Sequence, residues 1–133
     1  MIDLEKMLSI AKDARESAYA PYSKFKVGAA LLCDDGKIYT GCNIENASFS
    51  PTCCAERVAI FKAVSEGKQN FSAIAIVGGS ADTDSACYPC GVCRQVFGEF
   101  CSDDFIIITE NSNKIETLTL GKLLPNRFLI EKI

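Results

Sequence analysis

A chain of 133 residues, 48% of them hydrophobic, is long and apolar enough to form one compact domain over residues 1–133, and too apolar to be disordered. Its formal net charge of −3 excludes a protein built to wrap a phosphate backbone, which takes clustered Lys and Arg, so no nucleic-acid partner is expected. No apolar run nears the roughly 20 residues that cross a bilayer, and the first six residues do not read as a signal peptide, so no membrane partner is expected and the cytoplasm is the default location.

Asp3 to Tyr19 reads as an amphipathic helix. Leu4, Met7, Leu8, Ala11, Ala14 and Ala18 follow helical spacing, Asp3 is the N-cap, and Pro21 ends the run. Lys26 to Cys33 and Lys37 to Ile44 read as a hairpin across Asp34-Asp35-Gly36. Cys54 to Glu66 is a second helix, closed by Gly67, and Val58, Ala59, Ile60, Phe61, Ala63 and Val64 around it predict burial on most sides. Phe71 to Gly79 has the pattern of a buried parallel strand, and Ser80 to Tyr88 reads as a loop. Cys90 to Cys101 is a third helix, Phe105 to Thr109 a buried strand, Glu110 to Asn113 a turn, and Lys114 to Leu120 a last strand. A helical turn at Gly121 to Leu124 leads to Pro125 and a tail. This order predicts an α/β fold, a three-layer α/β/α sandwich around a mixed five-stranded sheet, with the strands flanking the two central helices parallel.

Eight cysteines and no histidine are the unusual features. A secreted disulfide scaffold fits badly, because a core of this size needs no staples. Clustered thiols in a reducing compartment point to metal or redox chemistry. Two segments concentrate them, Thr52-Cys53-Cys54-Ala55-Glu56-Arg57 and Pro89-Cys90-Gly91-Val92-Cys93-Arg94-Gln95. Each opens a predicted helix, where free N–H groups and the helix dipole favour thiolates.

Cys90 and Cys93 can share one metal on a first helical turn, and Cys54 supplies a third ligand. Three ligands leave a tetrahedral zinc one open position for water, as in catalytic sites. Glu56, two residues after Cys54, suits a general acid/base beside that water. Arg57 offers a cation to offset the excess charge of three thiolates on Zn²⁺. Competing readings are a closed structural site with Cys53 or Cys87 as fourth ligand, and a redox pair. The latter is disfavoured because Pro89 precedes the motif instead of lying inside it. Cys33, Cys42, Cys87 and Cys101 read as small buried hydrophobes. The pairing of Cys-x-Glu with Pro-Cys-x-x-Cys is the signature of zinc deaminases.

Over nearly its whole length the sequence resembles the small homotetrameric cytidine deaminases. The resemblance is carried by Ala20-Pro21-Tyr22-Ser23-Lys24-Phe25, Val27-Gly28-Ala29-Ala30, Gly41-Cys42-Asn43-Ile44-Glu45-Asn46-Ala47, the two cysteine motifs, and Leu123-Leu124-Pro125. It implies hydrolysis of cytidine and 2′-deoxycytidine to uridine and 2′-deoxyuridine plus ammonia, by zinc-activated water at C4 with Glu56 shuttling protons. It also implies ribose contacts from Asn43 and Glu45, Phe25 packing on the nucleoside, and a backbone contact to the base at Ala55. Phe128 matches an aromatic that reaches a neighbouring subunit's site, so a homotetramer with shared active sites is implied. Cys53 and Phe49 depart from the family pattern, where Asn and Tyr are frequent. A polynucleotide deaminase, an antibiotic deaminase and a zinc-stabilised binding module are the alternatives. The short link between the last two strands speaks against the first, since it forces a hairpin.

Overall fold

In the computed structural model, which describes residues 1–79 and 86–131, the chain begins with α1 (Leu4–Arg15). Asp3 caps it as expected, its carboxylate accepting from the Lys6 N–H at 3.0 Å. The helix stops short of Tyr19. Glu16 and Ser17 turn, and Tyr19 makes a parallel bridge with Ile44 instead. Its N–H donates to Asn43 O at 3.0 Å, and its carbonyl accepts from Glu45 N at 2.9 Å. Long-range pairing overrides the helical spacing that Ala18 continued.

The hairpin of β1 (Val27–Cys33) and β2 (Ile38–Cys42) is paired from Gly28↔Cys42 to Leu32↔Ile38. Then come α2 (Ala55–Ser65), β3 (Phe71–Gly78), α3 (Gly91–Phe100), β4 (Ile106–Asn111), β5 (Lys114–Thr119) and α4 (Leu120–Leu123). Most of the expected loop at Ser80 to Tyr88, residues 80–85, lies outside the described residues. The expected turn at 110–113 tightens to its last two residues. β4 and β5 stay paired to Asn111↔Lys114, and Ser112 and Asn113 both take left-handed backbone, φ 53 and 65. Such a two-residue turn matches the twist of the strands it joins.

The sheet order is β2-β1-β3-β4-β5. β1 is antiparallel to both neighbours, β3 and β4 are parallel, and β5 is antiparallel to β4. β2, β3 and β4 therefore run the same way, as the crossovers through α2 and α3 require. The strand at Phe71–Gly78, which read as parallel, has one parallel and one antiparallel neighbour.

α1 covers one face of the sheet, with Met7, Leu8 and Ala11 packed on Ala30, Ala73, Ala75 and Ile108. α2 and α3 cover the other, where Ala59, Ile60, Cys93 and Phe97 meet Ala29, Leu31, Ile74 and Ile107. Alternation along β1 sends Ala29 and Leu31 to one face and Ala30 to the other. The result is the three-layer α/β/α arrangement. α2 is less enclosed than its composition suggests, for Phe61 is 47% exposed while Ala59, Ile60 and Ala63 are fully buried. A Cβ on Gly41 would sit 2.3 Å from the Ala55 carbonyl oxygen. Glycine there lets the first turn of α2 rest directly on β2, which fixes the height of the site above the sheet.

Candidate metal centre and active site

β2, β3 and β4 point their C-terminal ends toward one rim, and α2 and α3 start from it. Beyond β2, Ile44 and Cys53 form an antiparallel bridge with reciprocal N–H···O bonds of 2.9 Å. That bridge seats Cys54 as the N-cap of α2, and Cys90 occupies the same position on α3. Neither thiol makes a side-chain cap bond to its own helix. Cys93, in the first turn of α3, is fully buried. The three sulfurs lie within 4.8 Å of one another, and Cys54 and Cys90 are 3.8 Å apart. A tetrahedron with Zn–S bonds of about 2.3 Å has sulfurs about 3.8 Å apart, so the donor set fits zinc in both softness and spacing.

Arg57, one turn along α2, donates from Nη2 to Cys54 Sγ at 3.4 Å and to Thr52 O at 3.5 Å. Its Nε is buried with no hydrogen-bond partner among the described residues. A hydrogen bond from Cys93 brings the Cys54 pKa down to about 5, helped by Arg57 and Cys90 and opposed by burial. Cys93, the donor of that bond, is pushed up by it and by burial. Glu56 is 4% exposed. Burial raises its carboxyl to about 7, with the charge of Cys54 adding to the effect. A carboxyl poised near neutrality beside a cluster of thiols can both take and return a proton.

The remaining predicted residues gather around this rim in different ways. Ala55 opens α2 between Cys54 and Glu56 and is fully buried. Asn43 is 9% exposed, and its carboxamide is already engaged. Oδ1 accepts from Val27 N at 2.8 Å, and Nδ2 donates to Phe25 O at 2.9 Å. Glu45 Oε1 accepts from Tyr22 N at 3.0 Å and Ser23 N at 3.1 Å, while Oε2 takes the Ser23 hydroxyl. That hydroxyl bond holds the Glu45 carboxyl below its ordinary range. Both residues thus brace the segment that carries Phe25, and each keeps a spare donor or lone pair. Glu45 also lines a cavity of about 420 Å³ with Tyr22, Ser23, Asn46, Phe49 and Thr52. Ser23 is the partner that residue-type reasoning missed. Its place inside Pro21-Tyr22-Ser23 was the available signal.

Phe128 is 69% exposed, on a tail tied down by Gln95 Nε2 to Phe128 O at 3.0 Å and Arg127 Nη1 to Cys101 O at 3.0 Å. Cys53 and Cys87, the rival fourth ligands, fall outside the three-thiol group. Burial raises both thiols, that of Cys87 to about 12. All eight cysteines are free. Cys33 and Cys101 are buried as expected, whereas Cys42 and Cys87 are only partly so.

Residues 1–109 match the family model described as "Cytidine and deoxycytidylate deaminase zinc-binding region". The chain is 53% identical over 133 residues to the cytidine deaminase of Sporosarcina psychrophila, covering 99% of this chain and 96% of that protein. It is 48% identical over 131 residues to the cytidine deaminase of Halalkalibacterium halodurans, covering 98% and 97%. The crystal structure of the cytidine deaminase from Burkholderia pseudomallei superposes with a TM-score of 0.87 at 43% identity, covering 96% of this chain and all of that one.

Proposed function

Because this chain belongs to the cytidine and deoxycytidylate deaminase family, we propose that its thiol cluster and Glu56 together deaminate free cytidine and 2′-deoxycytidine. The reaction is hydrolysis at C4. Water supplies the oxygen, the exocyclic amine leaves as ammonia, and uridine or 2′-deoxyuridine results. Cys54, Cys90 and Cys93 are the residues that would hold Zn²⁺, which when bound makes a water acidic enough to attack near neutral pH.

Glu56 takes a proton from the water and delivers it to N3 of the base. The same carboxylate then takes the second proton from the hydroxyl at C4 and gives it to the departing amine, which leaves as ammonia with the C4 carbonyl and the N3–H of uridine in place. With no histidine in the chain, no imidazole competes for this role. Arg57 offsets the negative charge gathered on Cys54. Asn43 and Glu45 offer their spare hydrogen-bonding positions to the ribose hydroxyls, Phe25 packs on the nucleoside, and the backbone at Ala55 meets the base. The observation that carries this reading is Glu56, nearly fully buried beside three convergent thiols.

Free nucleosides are favoured over polynucleotides by the acidic net charge and by the β4–β5 hairpin, which leaves no helix between those strands. A homotetramer with shared sites is supported by the exposed Phe128. A cytoplasmic location is supported by eight free thiols, which persist where disulfides are reduced. Two core clusters sharing one sheet support a single domain over residues 1–133. Among the described residues, no helix is long and apolar enough to cross a membrane.

The test is ammonia release from cytidine, 2′-deoxycytidine and a cytosine-containing single-stranded oligonucleotide, assayed side by side. The two nucleosides should be converted and the oligonucleotide left intact. Efficient conversion of the oligonucleotide would overturn the free-nucleoside assignment.

A further inference from the structure

Phe25 projects across the end of β3 because Val27, two residues on, pairs with Gly78. At Gly78 an added Cβ would lie 2.7 Å from Phe25 Cζ, 2.8 Å from Phe25 Cε2 and 2.9 Å from Cys87 Sγ. Ordinary contact begins at 3.4 Å. The positive-φ glycines are Gly36, Gly67 and Gly79. Gly78 is not among them, so its backbone accepts any residue and only space demands glycine. A Cβ on Gly41 would strike helix backbone, whereas at Gly78 it would strike two side-chain ends. Substitution at Gly78 therefore moves the ring and the thiol and leaves the strand in place.

The other side of this contact is equally fixed. Cys87 N donates to the Oγ1 of Thr109, itself 1% exposed, at 3.1 Å. Phe25 is held at its backbone by Asn43 Nδ2 on its carbonyl and by the Ser23 hydroxyl accepting from its N–H at 3.0 Å. With both backbones anchored, the ring's tilt is left to its neighbours Gly78 and Cys87. Phe25 nonetheless remains 45% exposed, so one side of the ring is available to a ligand.

We propose that Gly78 and Cys87 are positioning residues that set the plane of Phe25, and through it the grip of the site on the nucleoside. The inference rests on the reading that Phe25 packs against the substrate. A contact made equally in the ground and transition states changes KM with little change in kcat. Aromatic contact with a base contributes roughly 5- to 150-fold in binding, so a displaced ring should forfeit part of that range.

The experiment is a kinetic cycle on the full zinc-loaded enzyme with Gly78→Ala, Cys87→Ala, Phe25→Ala and the two double variants. Gly78→Ala should raise KM for cytidine roughly tenfold, keep kcat within about twofold and retain its zinc. In the Phe25→Ala background the same change should have no further effect, because the ring it displaces is gone. An equal KM penalty in both backgrounds, or none in the wild type while Phe25→Ala raises KM, would overturn the proposal. If Phe25→Ala itself leaves KM unchanged, the substrate reading of Phe25 fails first, and this inference with it. Should Gly78→Ala not fold, Cys87→Ala decides the matter, since it removes bulk. It should raise KM a few-fold and be non-additive with Phe25→Ala, and a wild-type KM would sink the proposal.

Discussion

The Arg57 guanidinium reaches back over the first turn of α2 to donate to Cys54 Sγ at 3.4 Å, in the middle of the thiol cluster. A charge-assisted bond to a thiolate is the natural counterweight where negative charge accumulates. Arg57→Gln keeps a polar side chain but removes the charge. It should lower kcat/KM by roughly tenfold or more while zinc content stays at the wild-type level, as read by steady-state kinetics and metal analysis. Unaltered kcat/KM would reduce Arg57 to a brace for the Thr52 carbonyl.

The three-thiol group makes a sharp distinction between adjacent cysteines. Purified wild-type protein should carry about one zinc per chain, in keeping with the single cluster of three thiols among the described residues. Cys90→Ala should lose the metal, and Cys53→Ser should keep it, because Cys53 contributes its backbone to the bridge with Ile44 and lies outside the group. Loss of zinc from Cys53→Ser would show that the neighbouring thiol does take part.

Glu56→Gln preserves shape and hydrogen bonding but cannot carry a proton. Turnover should fall by at least about 10²- to 10⁴-fold, with zinc retained and nucleoside still bound by calorimetry. Near-normal turnover would assign the proton transfers elsewhere.

Phe128 provides the test of subunit sharing. Phe128→Ala chains retain Glu56, and Glu56→Gln chains retain Phe128. If the aromatic closes a neighbour's pocket, mixing the two and allowing exchange should raise activity above the sum of the parents. Activity equal to that sum, with exchange verified by mass spectrometry, would rule the shared site out.

A fifth prediction concerns stability and pH. The hydroxyl of the buried Tyr39 donates to Glu66 Oε1 at 2.9 Å, and Lys37 reaches the same oxygen at 3.4 Å. The Tyr39 bond first, then Lys37, holds the Glu66 pKa below its usual value. A depressed carboxylate stabilises the fold above the ordinary pKa of about 4.3, and the contribution is lost as pH falls through the folded value. Tyr39→Phe should therefore lower the thermal midpoint at pH 7 and converge with wild type in acid. A gap independent of pH would mean that the hydroxyl matters through packing alone.

The convergence of Cys54, Cys90 and Cys93, and the burial of Glu56 at the start of α2, were legible because these residues lie at short spacings at helix starts, which pattern and turn residues locate well. The sheet order was reachable in part, since two helical crossovers dictate which strands share a direction. What stayed hidden was whatever depends on distant partners. Tyr19 leaves its helix to pair with Ile44, and only the folded chain reveals that demand. Phe61 looked like core because hydrophobicity cannot say which side of a helix will be covered. Asn43 and Glu45 gave no sign that they would first hold down the Phe25 segment, because a carboxamide and a carboxylate on a strand end look alike whether they face a ligand or a backbone.

The shared direction of β2, β3 and β4 divides the molecule into two ends with unequal freedom to vary. Cys54, Glu56 and Cys90 all sit where helices start, whereas the opposite rim holds the start of α1, the β1–β2 turn, the ends of α2 and α3 and their short returns at Gly67 and Ser102. A peptide tag, an added residue or a circular break placed at the Gly67 return would lengthen a connection without shifting a sulfur, whereas the Ser102 return also anchors the tail through Arg127 on Cys101 O. The same insertion between Ile44 and Cys54 would lift one ligand off the other two. Protein engineering of this scaffold thus has a permissive pole and a forbidden one, set by strand direction alone.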